Sequence, residues 1–172
     1  MPATYTLISS VTVGSGGAAN IEFTSIPTTY TDLLVKTSTR TVGTSARFES
    51  IYLQFNSNAS SYSYRMLQGS GSAASSGSAS SRPELYLGET TQSIATASTF
   101  NNAEIYIPNY LSSNNKSVSV DNVQEDNQTT AYLFFFGGLW GNSASITSIK
   151  LITASSNFAQ HSTAYLYGIS NA

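Results

Sequence analysis

The sequence predicts an all-β domain of short antiparallel strands, arranged as a sandwich or a barrel. Three observations carry that prediction. Apolar residues recur with period two along most of the 172-residue chain. Clusters of Gly, Asn, Ser and Pro break the alternation at short intervals. No segment combines a 3.6-residue period with caps and sufficient length, although Ile94 to Phe100 has room for a helical turn.

The elements follow in order. Tyr5-Thr6-Leu7-Ile8 runs into Val11-Thr12-Val13, and Gly14-Ser15-Gly16-Gly17 turns the chain toward Ile21-Glu22-Phe23, which Ile26-Pro27 closes. Gly14 to Ala19 formally fits the G-x-G-x-x-[GA] dinucleotide pattern, whose chemistry needs a helix to receive the pyrophosphate. The strand-like Asn20-Ile21-Glu22-Phe23 follows instead, so the glycines read as a hairpin turn. Leu33 to Thr37 is a short strand, and Ile51, Leu53 and Phe55 alternate cleanly toward one face. Tyr62 to Met66 continues the style. Gly69 to Ser81, GSGSAASSGSASS, has too little apolar area to bury and is expected to be a flexible surface loop over 69–82. A sharper reading makes it an arm that orders against a neighbouring subunit. The strand rhythm is the same on both sides, so one domain is expected over 1–172.

Glu84 to Leu87, Ala103 to Ile107, Ser117 to Val120, Ile146 to Ile152 and Ala164 to Ile169 are further strands. Tyr132 to Phe136 is apolar at every position, which predicts a strand buried on both faces or lying at an interface. Gly137-Gly138 is expected to interrupt it before Leu139-Trp140, and Trp140 is expected to be buried or at a subunit contact.

Composition excludes several classes of function. Only 9% of residues are charged, and roughly three in ten are Ser or Thr, well above the usual globular share. The surface is therefore hydroxyl-rich and weakly charged, which favours self-assembly. The net charge is −2, and Arg40, Arg47, Arg65, Arg82, Lys36, Lys116 and Lys150 are scattered, so no basic stripe exists for nucleic acid. With no cysteine, disulfides, thiol catalysis and Cys-type zinc sites are out. Met1-Pro2-Ala3-Thr4 shows no signal-peptide pattern, and the longest apolar run, Ala131 to Trp140, is short of the roughly 20 residues that span a bilayer. The expectation is a soluble protein made in a cytoplasm.

Few residues carry candidate chemistry. His161 is the one histidine, no G-x-S-x-G elbow accompanies it, and an exposed loop residue is the simpler reading. Asp121, Glu125 and Asp126 lack the spacing and glycine of a calcium loop and read as a solvated acidic turn, with a weak calcium site as the alternative. A glycosidase pair would have to come from Glu22, Glu49, Glu84, Glu89, Glu104 or that turn. Sequons at Asn58, Asn115 and Asn127 are what chance supplies in an Asn- and Ser-rich chain. The 11 tyrosines and 8 phenylalanines supply core and interface area before sugar platforms. No catalytic, cofactor-binding or metal-ligating residue is assigned, and no enzyme activity is expected.

Several segments of the chain look familiar together. They are Ile105-Tyr106-Ile107-Pro108-Asn109-Tyr110, Asn115-Lys116-Ser117, Gly138-Leu139-Trp140, Ile146-Thr147-Ser148-Ile149, Asn157-Phe158 and Ser162-Thr163-Ala164-Tyr165-Leu166-Tyr167-Gly168-Ile169. With Tyr5 to Ile8, Gly14 to Gly17 and Ile26 to Leu33 at the start, the order resembles a family of small tailed-bacteriophage virion proteins, of head-decoration or tail-fibre type. The resemblance implies a jelly-roll-like antiparallel β-sandwich, a homotrimer, and a place on the virion with the major capsid protein or other virion proteins as partners. It transfers no catalytic residue. The expected role is a capsid decoration (cement) protein. The alternative is a tail-fibre component recognising host surface glycans, with Tyr62, Tyr64 and Tyr110 as candidate contacts.

Overall fold

The computed structural model describes residues 4–170. Met1, Pro2 and Ala3, on which the signal-peptide reading turns, lie outside the described residues, as do Asn171 and Ala172. Among the described residues there are twelve strands and no helix. The strands are β1 (Tyr5–Thr12), β2 (Asn20–Phe23), β3 (Asp32–Thr39), β4 (Phe48–Phe55), β5 (Tyr62–Gly69) and β6 (Ala74–Arg82). They continue as β7 (Leu85–Thr91), β8 (Asn101–Ile107), β9 (Lys116–Gln124), β10 (Tyr132–Trp140), β11 (Ile149–Thr153) and β12 (Thr163–Ile169).

All strand pairs are antiparallel and form two sheets packed as a sandwich. One sheet runs β2-β11-β4-β7 and the other β1-β12-β3-β8-β9-β10-β5-β6. If β5, β6, β9 and β10 are set aside, the two sheets read 1-12-3-8 and 2-11-4-7. That is the strand order of an eight-stranded jelly roll, with successive strands alternating between sheets except β4 and β7, which pair in the same one. Two inserted hairpins, β5–β6 and β9–β10, then extend one sheet past β8 by four strands. This jelly-roll-like sandwich agrees with the expected fold class.

The alternation seen in the sequence sets the core. Ile51, Leu53 and Phe55 of β4 are buried, as are Leu33 and Val35 of β3, Ile105 and Ile107 of β8, and Val118 and Val120 of β9. The other faces of these strands are mostly half-buried or exposed, as period two requires, with buried Leu34 of β3 the exception. Trp140 is buried, lying 6.2 Å from the near-parallel Tyr62 ring and 5.5 Å from Phe55. Residues of the resembling segments do structural work here. Buried Lys116 donates to the carbonyls of Ser112 and Asn114 at 2.7 and 2.6 Å and so ties down the loop before β9. Gly168 lies against the Tyr30 ring, where a Cβ would stand 2.3 Å from Cγ, so any side chain there displaces the ring.

Four sequence expectations are corrected. The Gly14–Gly17 segment is a turn, with the Gly17 N–H bonded to the Gly14 carbonyl at 3.0 Å, but not a hairpin. It carries the chain from one sheet to the other, because β1 pairs with β12 and β2 with β11. Gly137-Gly138 does not interrupt β10, which runs through to Trp140. Gly138 faces inward, and a Cβ there would stand 2.8 Å from Leu85, so its bareness makes room for the opposite sheet. Ile94 to Phe100 forms successive turns, not a helical turn, because its carbonyls point at a side chain rather than along an axis. That side chain is Arg40, nearly buried, whose guanidinium donates to the carbonyls of Ser93, Ala95, Thr96 and Thr99 at 2.7 to 3.1 Å.

The fourth correction concerns 69–82. Residues Ala74–Arg82 form β6, paired residue by residue with β5 from Gly69↔Ala74 to Tyr64↔Ala79. Only the connecting turn is loop-like, closed by the Ser70 N–H on the Ala73 carbonyl at 3.0 Å. Low apolar content does not prevent a strand here, because a ladder needs only backbone N–H and C=O groups, which Ser, Ala and Gly have, and β5 supplies the partner.

Candidate assembly face and tyrosine cleft

The four-stranded sheet covers one face of the eight-stranded sheet, leaving the other face to solvent. On β10 the result is alternation within an all-apolar run: Phe134 and Phe136 are buried, while Leu133 and Phe135 are more than half exposed. The sequence predicted burial on both faces or an interface; burial on both faces is not what forms, since the opposing sheet reaches only one side. Phe135 stands directly opposite Leu67 of β5, which is 62% exposed, and Leu133 stands opposite Val123 of β9. Leu139 continues the row toward the far end of β10. The patch lies wholly on the two inserted hairpins. Arg65, opposite Gly137, and Asp121, opposite Phe135, flank it with one charge of each sign. A contiguous apolar patch on the outside of a sheet is a candidate interaction surface.

The other end of the same face carries exposed Tyr5, Leu7 and Tyr165 on β1 and β12. Between the two ends sits the Lys36–Glu104 ion pair at 2.9 Å. Both partners are about half exposed, so the pair adds little stability. It separates two apolar regions with one neutralised pair.

A second feature is a small cleft of 190 Å³ where the overhanging β5 and β6 meet the edge strand β7. Its lining is Ser50, Tyr52, Tyr64, Arg82 and Tyr86. Tyr86 lies 5.8 Å from Tyr52 and 5.7 Å from Tyr64, and its hydroxyl donates to Glu89 at 2.6 Å. The Ser50 hydroxyl reaches the same carboxylate oxygen at 3.3 Å. Burial pushes the Glu89 carboxyl above its ordinary value, against the lowering effect of those two hydroxyls. A carboxyl raised in the folded state stabilises the fold fully below its unfolded value, and that contribution is lost as pH rises through the folded value. Glu89→Gln is therefore expected to raise the melting temperature at pH 7 and to flatten the decline in stability above the ordinary carboxylate range. Thermal melts of both proteins between pH 4 and pH 8 (about that range, to bracket a raised carboxyl) check this. An unchanged pH slope counts against it.

The structure scatters the sequence candidates. Of the three tyrosines named for glycan contact, Tyr62 and Tyr110 are core residues. The Tyr62 hydroxyl accepts from the Phe55 N–H at 2.7 Å and donates to the Asn58 carbonyl, while the Tyr110 hydroxyl donates to the Pro27 carbonyl. Burial pushes the Tyr62 phenol up to about 12. A tyrosine with a backbone partner for its hydroxyl goes inside like any other ring, and no sequence signal distinguishes that case. Only Tyr64 faces a cleft, and its companions Tyr52, Tyr86 and Arg82 were not singled out in the sequence.

The acidic turn is not simply solvated. Asp126 is buried and ion-paired with Arg47, Glu125 accepts from the Asn127 N–H at 2.6 Å, and Asp121 lies exposed on β9. No group of three His, Asp or Glu side chains placed for a metal occurs among the described residues. The other carboxylates are likewise engaged. Glu22 pairs with Lys150 and Glu104 with Lys36, while Gln54 donates to Glu84 at 3.4 Å. Burial alone would raise the Glu49 carboxyl, but hydrogen bonds from Ser156 and Ser155 hold it below its ordinary value. Glu49 thus caps the loop after β11. His161 is exposed in the turn before β12 and bonds through its backbone N–H to the Val13 carbonyl at 2.9 Å.

No protein-family model matches this chain, and comparison with curated proteins finds no match.

Proposed function

We propose that the chain is a non-enzymatic structural protein of a tailed-bacteriophage virion, a decoration (cement) protein that binds the major capsid protein and stabilises the head shell. On this reading it is made in the bacterial cytoplasm and carried on the particle. The observation that carries the proposal is the exposed row Leu67, Leu133, Phe135 and Leu139 on the inserted hairpins, taken with the resembling segments of the sequence. A rigid sandwich offers such a row without ordering cost, and its weak charge leaves little repulsion between neighbouring copies. Many bound copies add their binding free energy to the shell by mass action.

Copy number in purified particles tests the assignment. Quantitative mass spectrometry is expected to find hundreds of copies per particle, with labelled antibody distributed over the head. A handful of copies confined to the tail overturns it.

A second reading, a tail-fibre component binding host glycans, is favoured by one observation. The tyrosine cleft joins three rings to a guanidinium, Arg82, that forms no ion pair among the described residues. Rings and a free cation suit an acidic sugar.

A further inference from the structure

We propose that two copies of this chain pair through β6, strand against antiparallel strand about a two-fold axis near Gly77, joining their eight-stranded sheets into one. The outer edge of β6 is unprotected. β6 ends its sheet, so among the described residues its outer row of N–H and C=O groups has no strand beside it. Proteins usually blunt such an edge with Lys, Pro, a mid-strand bulge or a covering segment. From Ala74 to Ser81 there is no charged residue and no proline. The ladder to β5 is regular over Ala74–Ala79, and its register shift falls only beyond Ala79. Ala74, Ser75, Ser76 and Ser78 are exposed. An incoming strand meets only Ser, Ala and Gly on either face.

The sequence of β6 selects a second copy as that strand. A two-fold axis that joins antiparallel strands in one sheet stands perpendicular to it, so outward residues meet outward residues. With the axis at Gly77, Ser76 of one copy lies opposite Ser78 of the other, Ser75 opposite Ala79, and Ala74 opposite Ser80. Every opposed pair is small and uncharged. The two Arg82 side chains end ten residue positions apart, about 30 Å along the strands and beyond the range of repulsion at physiological salt.

The opposite edge of the sheet is a poorer template. β1 is also uncharged, but a bulge between Leu7 and Ser9 breaks its ladder in mid-strand. A β1-to-β6 contact would be head-to-tail and would close a ring such as the trimer that the resemblance implies. The self-matching sequence of β6 favours the two-fold instead. The pairing stands apart from the virion reading: it is measured on isolated protein and copy number on particles, so each can fail alone.

Analytical ultracentrifugation of the purified chain at tens of micromolar is expected to give twice the 18.3 kDa chain mass. Ser76→Lys with Ser78→Lys sets like charges against each other across the axis and is expected to weaken association at least tenfold. Ser9→Lys with Ser10→Lys, on β1, is expected to leave the dimer intact. Should the β6 lysine variant fail to melt cooperatively, cysteine pairing replaces it, since the chain has no cysteine of its own. Mixed Ser76→Cys and Ser78→Cys chains should then oxidise to a cross-linked dimer, and absence of the cross-link counts against the pairing. A wild-type monomer, a trimer, or a dimer lost only with the β1 lysines overturns the proposal.

Discussion

Replacing Arg40 with alanine is expected to lower stability by about 3 kcal/mol and the melting temperature by roughly 6–12 °C. Its guanidinium holds the turns of 93–99 in place by donating to the Ser93, Ala95, Thr96 and Thr99 carbonyls from outside the segment. Alanine removes four bonds to carbonyls and one to the Thr99 hydroxyl at once, and leaves the partly buried Ser93, Ala95 and Thr99 carbonyls without that donor. Arg40→Lys should recover only part of the loss, since one ammonium cannot span four carbonyls as a planar fork does. Thermal melts of the three proteins decide the matter, and an alanine variant that melts with the wild type refutes the role assigned to Arg40.

The second large effect concerns the outer face. Leu67→Ser, Leu133→Ser and Phe135→Ser together are expected to leave the melting temperature within a few degrees, because the three side chains are already more than half exposed. Binding to particles should fall more than 100-fold, since central apolar anchors typically contribute about 2 kcal/mol or more each. The measurement is the fraction of protein that co-sediments with particles lacking it. Undiminished co-sedimentation removes this face from the interface and takes the main support from the decoration reading. Loss of binding together with unfolding would instead assign the patch to the core.

Much of the fold was legible in local pattern. The period-two runs around Ile51, Leu53 and Phe55, or Val118 and Val120, mark core strands because a half-buried strand must alternate. The candidate surfaces were less legible. Tyr132 to Phe136 looked the same at each position, and only the position of the second sheet divides Phe134 and Phe136 from Leu133 and Phe135. Tyr62 and Tyr64 are two residues apart on one strand face, yet one is wholly buried and the other lines a cleft, because β7 ends the covering sheet nearby.

The Gly/Ser segment shows the division most sharply. Its sequence alone determined a stretch with no apolar area to bury, no charge and small side chains, and those properties hold in the structure. What only the tertiary structure decided is that β5 lies beside it with a free ladder of its own, which turns a segment without burial into the edge strand β6. Burial is a property of side chains and can be read from composition, whereas strand pairing is satisfied by backbone groups common to nearly all residues. The sequence by itself therefore determined an all-β chain and its alternating faces. Tertiary packing decided which face stayed bare and which edge stayed open.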